Sequence, residues 1–76
     1  MARIQYLILS NGGRWKIRHN EKDYEYATQA EAMHAAVEAA HKSGEMGHDA
    51  QVLIQGRDGQ WQTEWTYGHD PYPPRG

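Results

Sequence analysis

The fold is decided by residues 28–44, which read TQAEAMHAAVEAAHKSG and lie between two stretches of a different pattern. Thr28 and Glu31 have the spacing of a capping box, in which a threonine hydroxyl and a glutamate carboxylate each bind a free amide of the first helical turn. The segment is rich in alanine and contains no glycine or proline before Gly44, which is placed to end a helix. The sequence therefore predicts one helix near 29–43.

One side of this helix is apolar. Residues that recur at the helical period of 3.6 form a narrow stripe, which consists of Met33, Ala36, Val37 and Ala40. Because alanine side chains are small, a helix with such a stripe can lie close to a sheet. We expect this side to face the core.

The chain before the helix is typical of a β-hairpin. Two apolar runs meet at Asn11-Gly12, and both central residues of a type I′ turn need a positive φ, which asparagine and glycine tolerate. We predict strands at 3–10 and 13–19, with Ile8 opposite Trp15 on an apolar face. Because strand side chains alternate with period two, the reverse face is mixed and cationic and carries Leu7, Leu9, Arg14, Lys16 and Arg18.

The chain after the helix shows the same turn chemistry at Asp58-Gly59. We predict a second hairpin with strands near 50–56 and 60–66. Strict alternation across this turn places five residues on one face and leaves Leu53 on the other; the five are Val52, Ile54, Trp61, Thr63 and Trp65. Residues 22–27 can extend one edge of the sheet before the helix begins.

Together these elements predict an α+β fold with a two-layer ββαββ arrangement, in which one helix packs on a sheet of about four mainly antiparallel strands. The domain covers residues 1–67. A tail rich in proline and glycine follows at 68–76. A chain of 76 residues can build only a small core, so burial against a partner would add stability.

Composition narrows the class of protein. The chain contains no cysteine, which excludes disulfides, thiolate metal sites and a cysteine nucleophile. Its longest apolar runs, Tyr6 to Leu9 and Val52 to Ile54, are far shorter than the roughly 20 residues that cross a bilayer, and no signal peptide is visible at the start. We therefore expect a cytoplasmic protein with no membrane partner.

No group of residues indicates catalysis. His34, Glu38 and His41 lie on one side of the helix, but its two histidines are two turns, about 10 Å, apart, which is too far to share one metal ion. The repeated Gly47-His48-Asp49 and Gly68-His69-Asp70 are explained by turn chemistry, and neither serine of the chain lies in a nucleophile motif. We predict a protein that is not an enzyme, with no catalytic residue, cofactor or metal site.

Four motifs carry a resemblance to a known family: Trp15-Lys16-Ile17-Arg18, Thr28-Gln29-Ala30-Glu31-Ala32, Arg57-Asp58-Gly59 and the ending YGHDPYPPRG at 67–76. The chain resembles the small bacterial domains of unknown function numbered 2188, whose members close with Tyr-Gly-x-Asp-Pro-x-Pro-Pro-x-Gly. The family has no assigned activity. The resemblance therefore implies a fold and a bacterial or phage origin, and nothing about chemistry.

The leading functional hypothesis is a small interaction protein that binds a protein partner or itself, with a homodimer as one candidate. A sheet with one helix leaves its second face uncovered, and Leu7, Leu9 and Leu53 lie there among polar residues. The tail offers a second binding element in Tyr72, Pro73 and Pro74, because polyproline segments fit aromatic grooves. The alternative for the tail is that Tyr72 packs on the domain's own tryptophans.

The runner-up function is nucleic-acid binding through Arg14, Lys16 and Arg18, because cations along one strand can follow a phosphate backbone. Two observations oppose it. The net charge is −2, and the aromatic residues that would stack on bases are expected on the other face.

Overall fold

The computed structural model describes residues 3–74. That part of the chain forms five strands and one helix, in the order β1 (Arg3–Asn11), β2 (Arg14–His19), β3 (Lys22–Tyr26), α1 (Gln29–Glu45), β4 (Asp49–Gln55) and β5 (Trp61–Thr66). The helix packs on one face of the sheet, so the predicted α+β class and the two layers are confirmed.

The sheet has the strand order β3-β2-β1-β4-β5. Its central pair, β1 and β4, is parallel, while the other three neighbouring pairs are antiparallel. The prediction of four mainly antiparallel strands is therefore wrong in two respects: β3 is a full strand, and the sheet is mixed. The physical reason is the helical crossover from β3 to β4, since a connection of this kind returns the chain in the same direction.

The turn of the first hairpin lies one residue later than predicted. Ile8 pairs with Ile17 and Asn11 pairs with Arg14, so the turn is Gly12-Gly13. Both glycines have a positive φ, 56° and 85°, as a type I′ turn requires. Compared with the prediction, the residue opposite Ile8 is Ile17 instead of Trp15, a difference of two residues. Because side chains alternate with period two, every residue keeps its predicted face.

The second hairpin differs from its prediction by one residue. Its turn spans residues 57–59, and Val52 pairs with Trp65 while Leu53 pairs with Thr63, so Glu64 is an extra residue in a β-bulge. Beyond the bulge the side chains change faces. Trp61 and Thr63 therefore lie on the side away from the helix, and the prediction that they share a face with Trp65 is wrong.

The core lies between the helix and the sheet. Its buried residues come from α1 and from every strand except β3, and they are Tyr6, Ile8, Ile17, Ala32, Ala36, Val37, Ala40, Ala50, Val52 and Trp65. The predicted helix stripe is confirmed at Ala36, Val37 and Ala40, and Met33 packs partly buried against them. Three alanines in this layer allow the helix axis to approach the strands closely.

The ends of the helix show one confirmed prediction and one wrong one. The Thr28 hydroxyl accepts a hydrogen bond from the Glu31 amide at 3.1 Å, and the Glu31 carboxylate accepts one from the Ala27 amide at 3.2 Å, so the predicted N-terminal cap forms. Gly44, however, does not end the helix, which continues to Glu45. A Cβ atom at Gly44 would overlap the ring of Tyr67, so the glycine is required for close packing.

Candidate interaction surface

The side of the sheet away from the helix, here called the open face, is formed by alternate residues of the five strands. Strand pairing aligns one row of them across the whole sheet, which runs Asp23, Arg18, Leu7, Leu53 and Thr63. Lys16 pairs with Leu9, and Gln55 pairs with Trp61. One step beyond the last parallel pair, Ile8 with Ile54, the same register places these two pairs in a second row. The open face thus has leucines at its centre, charged residues towards β3 and an aromatic residue towards β5.

The structure brings the three predicted leucines together. Leu7 and Leu53 are direct neighbours on the parallel pair of strands, and Leu9 follows Leu7 two positions along β1. All three are partly buried by their neighbours. Carbon atoms therefore remain accessible at the centre of a face that the domain itself does not cover.

Trp61 belongs to this surface, although the alternation pattern predicts the opposite. Its side chain is 41% exposed, because the bulge at Glu64 turns it away from the helix. The run Trp-Gln-Thr-Glu-Trp alternates without interruption and contains no glycine that would indicate a bulge. The sequence therefore contains no local signal for this residue.

The three predicted cations lie on the open face, and each is close to a carboxylate of β3. Arg18 Nε lies 2.9 Å from Asp23 Oδ1, Lys16 Nζ lies 3.3 Å from Asp23 Oδ2, and Arg14 Nε lies 3.7 Å from Glu25 Oε1. The hydrogen bond from Arg18 lowers the pKa of Asp23, and the same contact raises the pKa of Arg18. The cationic stripe is therefore largely neutralised within the domain.

The tail packs on the opposite side of the sheet. The Asp70 carboxylate accepts a hydrogen bond from the Thr66 amide at 2.8 Å, and Trp65 Nε1 donates to the carbonyl of Pro71 at 2.9 Å. The ring of Tyr72 stacks on His41 with ring centres 3.7 Å apart. These contacts connect the end of β5 to the helix.

The hydroxyl of Tyr72 donates a hydrogen bond to Glu38. Because this bond favours the neutral phenol, it raises the pKa of Tyr72. Tyr72 is nevertheless 40% exposed, and Pro73 and Pro74 are exposed beside it. The structure therefore places Tyr72 in an intramolecular contact on the helix side, away from the leucines, and its binding to a partner stays a prediction.

The histidines and carboxylate of the helix do not converge on one point. His41 faces Glu45, with Nδ1 and Oε1 3.6 Å apart, and stacks on the tail. Within residues 3–74, no three histidine, aspartate or glutamate side chains come close enough together to hold a metal ion.

None of the helices in the described residues is sufficiently long and apolar to span a membrane.

The comparisons with curated proteins and with solved structures found no match. One family model does match, over residues 5–67; its description is an uncharacterized protein conserved in bacteria, DUF2188. The tail beyond Tyr67 lies outside the match. Since the matched span covers most of the 76 residues, the chain belongs to the DUF2188 family.

Proposed function

We propose that this protein is a small, non-enzymatic interaction protein of the cytoplasm that uses its open face to bind a second copy of itself. The observation that carries the proposal is the apolar centre of that face, formed by Leu7, Leu9 and Leu53 beside an exposed Trp61. A two-layer domain with one helix leaves such a surface in water unless a partner covers it. Aromatic residues are enriched at protein interfaces.

The arrangement of the open face suits a second copy. In a symmetric dimer the same patch contributes from both partners. A two-fold axis parallel to the strands, between β1 and β4, places leucines on leucines and β2 of one copy over β5 of the other. Because Lys16 and Trp61 belong to the same row, the Lys16 ammonium would then meet the Trp61 ring of the partner, a favourable cation–π contact.

Sedimentation equilibrium over a range of protein concentrations tests the proposal. We expect a dimer whose dissociation constant changes little with salt, because the contact is mainly apolar. Leu53→Lys should shift the equilibrium to monomer. Met46→Lys is the matched control, since Met46 is 77% exposed at the end of the helix, away from the open face. A monomeric mass for the unaltered protein at millimolar concentration would overturn self-association.

Nucleic-acid binding by Arg14, Lys16 and Arg18 is the second candidate, and the position of Trp61 favours it. The aromatic residue shares the open face with the cations, three strand spacings or about 14 Å from β2, so stacking and phosphate contacts could occur on one surface. The ion pairs with Asp23 and Glu25 oppose it, because they would have to open for phosphate to bind.

Fluorescence anisotropy with single- and double-stranded probes at low salt tests this candidate. The triple variant Arg14→Ala, Lys16→Ala, Arg18→Ala should abolish binding and remove its salt dependence. Lys42→Ala, which removes a helix cation, is the control and should bind as the unaltered protein does. Absence of binding to every probe at low salt would remove the candidate.

A further inference from the structure

A cavity of about 400 Å³ opens on the helix side of the sheet, between the start of α1 and the tip of the second hairpin. Its lining includes Trp15, Gln29, Ile54, Arg57, Gln62 and Glu64. The volume falls in the range of about 300–1,000 Å³ that small-molecule sites occupy. Trp15, Ile54 and Gln62 place the cavity mainly on the helix side of the sheet, and Gln55 at the end of β4 also lines it. Its proposed ligand does not depend on the leucines or on Trp61 of the open face.

The bulge creates this cavity. It places Gln62 beside Ile54 on the helix side, where strict alternation would have placed the bulkier Trp61. The helix packs mainly on β4, β1, β2 and β3, and Gln29 is the helix residue that lines the cavity. The result is a concave site with an aromatic residue at one wall and amide side chains at the others.

The polar groups of the cavity are available to a ligand. Within the described part of the chain, Arg57 and Glu64 form no ion pair. Gln29 and Gln62 lie at the rim, Gln29 as the first residue of the helix and Gln62 in β5. Gln55 also lines the cavity, and its amide donates to the carbonyl of Gly59 at 3.0 Å. The site thus offers one cation, one carboxylate and three amides around a partly buried tryptophan.

We propose that this cavity binds a purine base that carries a phosphate, either as a free nucleotide or as an unpaired nucleotide of a nucleic acid. The indole of Trp15 provides a surface on which a base stacks. A glutamine amide has the donor and acceptor pair that matches the N6 and N7 edge of adenine, and a carboxylate accepts from an exocyclic amino group. The Arg57 guanidinium binds the phosphate. The negative charge of the phosphate provides the ion-pair partner that Arg57 does not have among the described residues.

The mixed charge of the site defines its ligand further. Glu64 repels a bare phosphate, whereas it attracts a molecule that also presents an amino group. An adenine nucleotide provides both an amino group and an anion. We therefore expect the base and the phosphate to contribute separately to affinity.

Nuclear magnetic resonance titration of the full chain, labelled with ¹⁵N, tests the proposal with three probes. AMP should shift the Trp15 indole resonance and the side-chain amides of Gln29 and Gln62. Adenosine should shift the same resonances with weaker affinity, and ribose 5-phosphate should leave Trp15 unmoved. A short oligo-deoxyadenylate identifies the source: tighter binding than AMP indicates a nucleic acid, and equal or weaker binding indicates the free nucleotide.

Variants at exposed positions of the cavity separate its parts without loss of the fold. Arg57→Gln should weaken AMP binding about tenfold or more and leave adenosine unchanged, since it removes the charge-assisted hydrogen bond to the phosphate and no contact with the base. Gln62→Ala should weaken both ligands. Arg14→Gln, which removes a cation from the open face, is the control and should bind AMP normally. The proposal is overturned if about 10 mM AMP leaves Trp15 and Gln62 unshifted, or if Arg57→Gln binds AMP as tightly as the unaltered protein.

Discussion

The two hairpins carry similar turn sequences, Asn11-Gly12 and Asp58-Gly59, yet their pairing departs from the simple prediction in different ways. In the first, the pairing moves by two residues, so Ile8 faces Ile17 instead of Trp15 and remains in the core. In the second, one inserted residue at Glu64 moves Trp61 and Thr63 to the other face. An even shift conserves the faces of a strand and an odd one exchanges them.

The hairpins also divide the open face into two halves. The first hairpin, continued by β3, carries three cations and two carboxylates in close ion pairs. Among the described residues the second hairpin has no ion pair, and it presents Trp61 instead. The part of the open face on β2 and β3 is therefore polar and paired within the domain, while the leucines of β1 and β4 and Trp61 of β5 are more available for an apolar contact.

The largest expected effect compares the two tryptophans of β5. Trp65 is 3% exposed and Trp61 is 41% exposed. Trp65→Ala should lower the free energy of unfolding by about 3–5 kcal/mol, because it leaves a cavity in the core, whereas Trp61→Ala should lower it by less than about 1 kcal/mol. Urea unfolding of both variants measures the difference. Equal losses would mean that the two side chains share one face and that the bulge is absent.

A second variant tests how the second hairpin is attached to the helix. Gly44→Ala introduces a methyl group into the ring of Tyr67 and should lower the free energy of unfolding by about 1–3 kcal/mol, as overpacking does. Thermal unfolding measures the loss. In the background of Tyr67→Ala the same substitution should cost nothing, because the obstructing ring is gone; an unchanged cost there would contradict the packing role.

Deletion of residues 68–76 tests whether the tail stabilises the second hairpin, since the first hairpin has no such segment packed on it in the described part of the chain. The deletion removes the two hydrogen-bond acceptors of Trp65 Nε1 and of the Thr66 amide. It also removes the ring of Tyr72, which stacks on His41. We expect the melting temperature to fall by several degrees, since about 1 kcal/mol corresponds to roughly 4–8 °C in a domain of this size. The variant Tyr72→Phe keeps the ring, so its melting temperature should fall less than that of the deletion. An unchanged melting temperature for the deletion would show that the tail contacts are not stabilising.

The smallest expected effect concerns the ion pairs of the first hairpin. Arg18 lowers the pKa of Asp23 below its ordinary value, so the contact stabilises the fold above the ordinary carboxyl pKa of about 4 and is lost as the pH falls through the lowered value. The pair is exposed, and the contribution is correspondingly small. Urea midpoints between pH 7 and pH 2 should fall less for Asp23→Asn than for the unaltered protein. Identical pH dependence would exclude the contribution.

Much of the molecule follows from local patterns. The cap at Thr28, the helix stripe at Ala36 and Val37, and the two hairpins depend on contacts between residues only a few positions apart, and these appear in the sequence as spacing. The motifs of the family and the position of the leucines on the uncovered face can likewise be recognised in the sequence. The pattern of residues 22–27 predicts an edge extension and not a full strand, because short runs of alternating tyrosines and charges also occur in loops.

The tertiary structure alone decided three further properties: the parallel central pair, the carboxylates of Asp23 and Glu25 beside the cations, and the face on which Trp61 lies. The parallel pair and the face of Trp61 depend on residues distant in sequence. Asp23 lies only five and seven positions from Arg18 and Lys16, but it comes beside them only because β3 forms and pairs with β2. Trp65 occupies the covered position where the tail and Tyr67 surround it, while Trp61 lies on the other side of the sheet, which the helix does not cover. A turn or cap is stabilised by its own residues. The pairing of a strand is instead determined by the burial of all side chains across the sheet, and this burial is established only when the chain has folded.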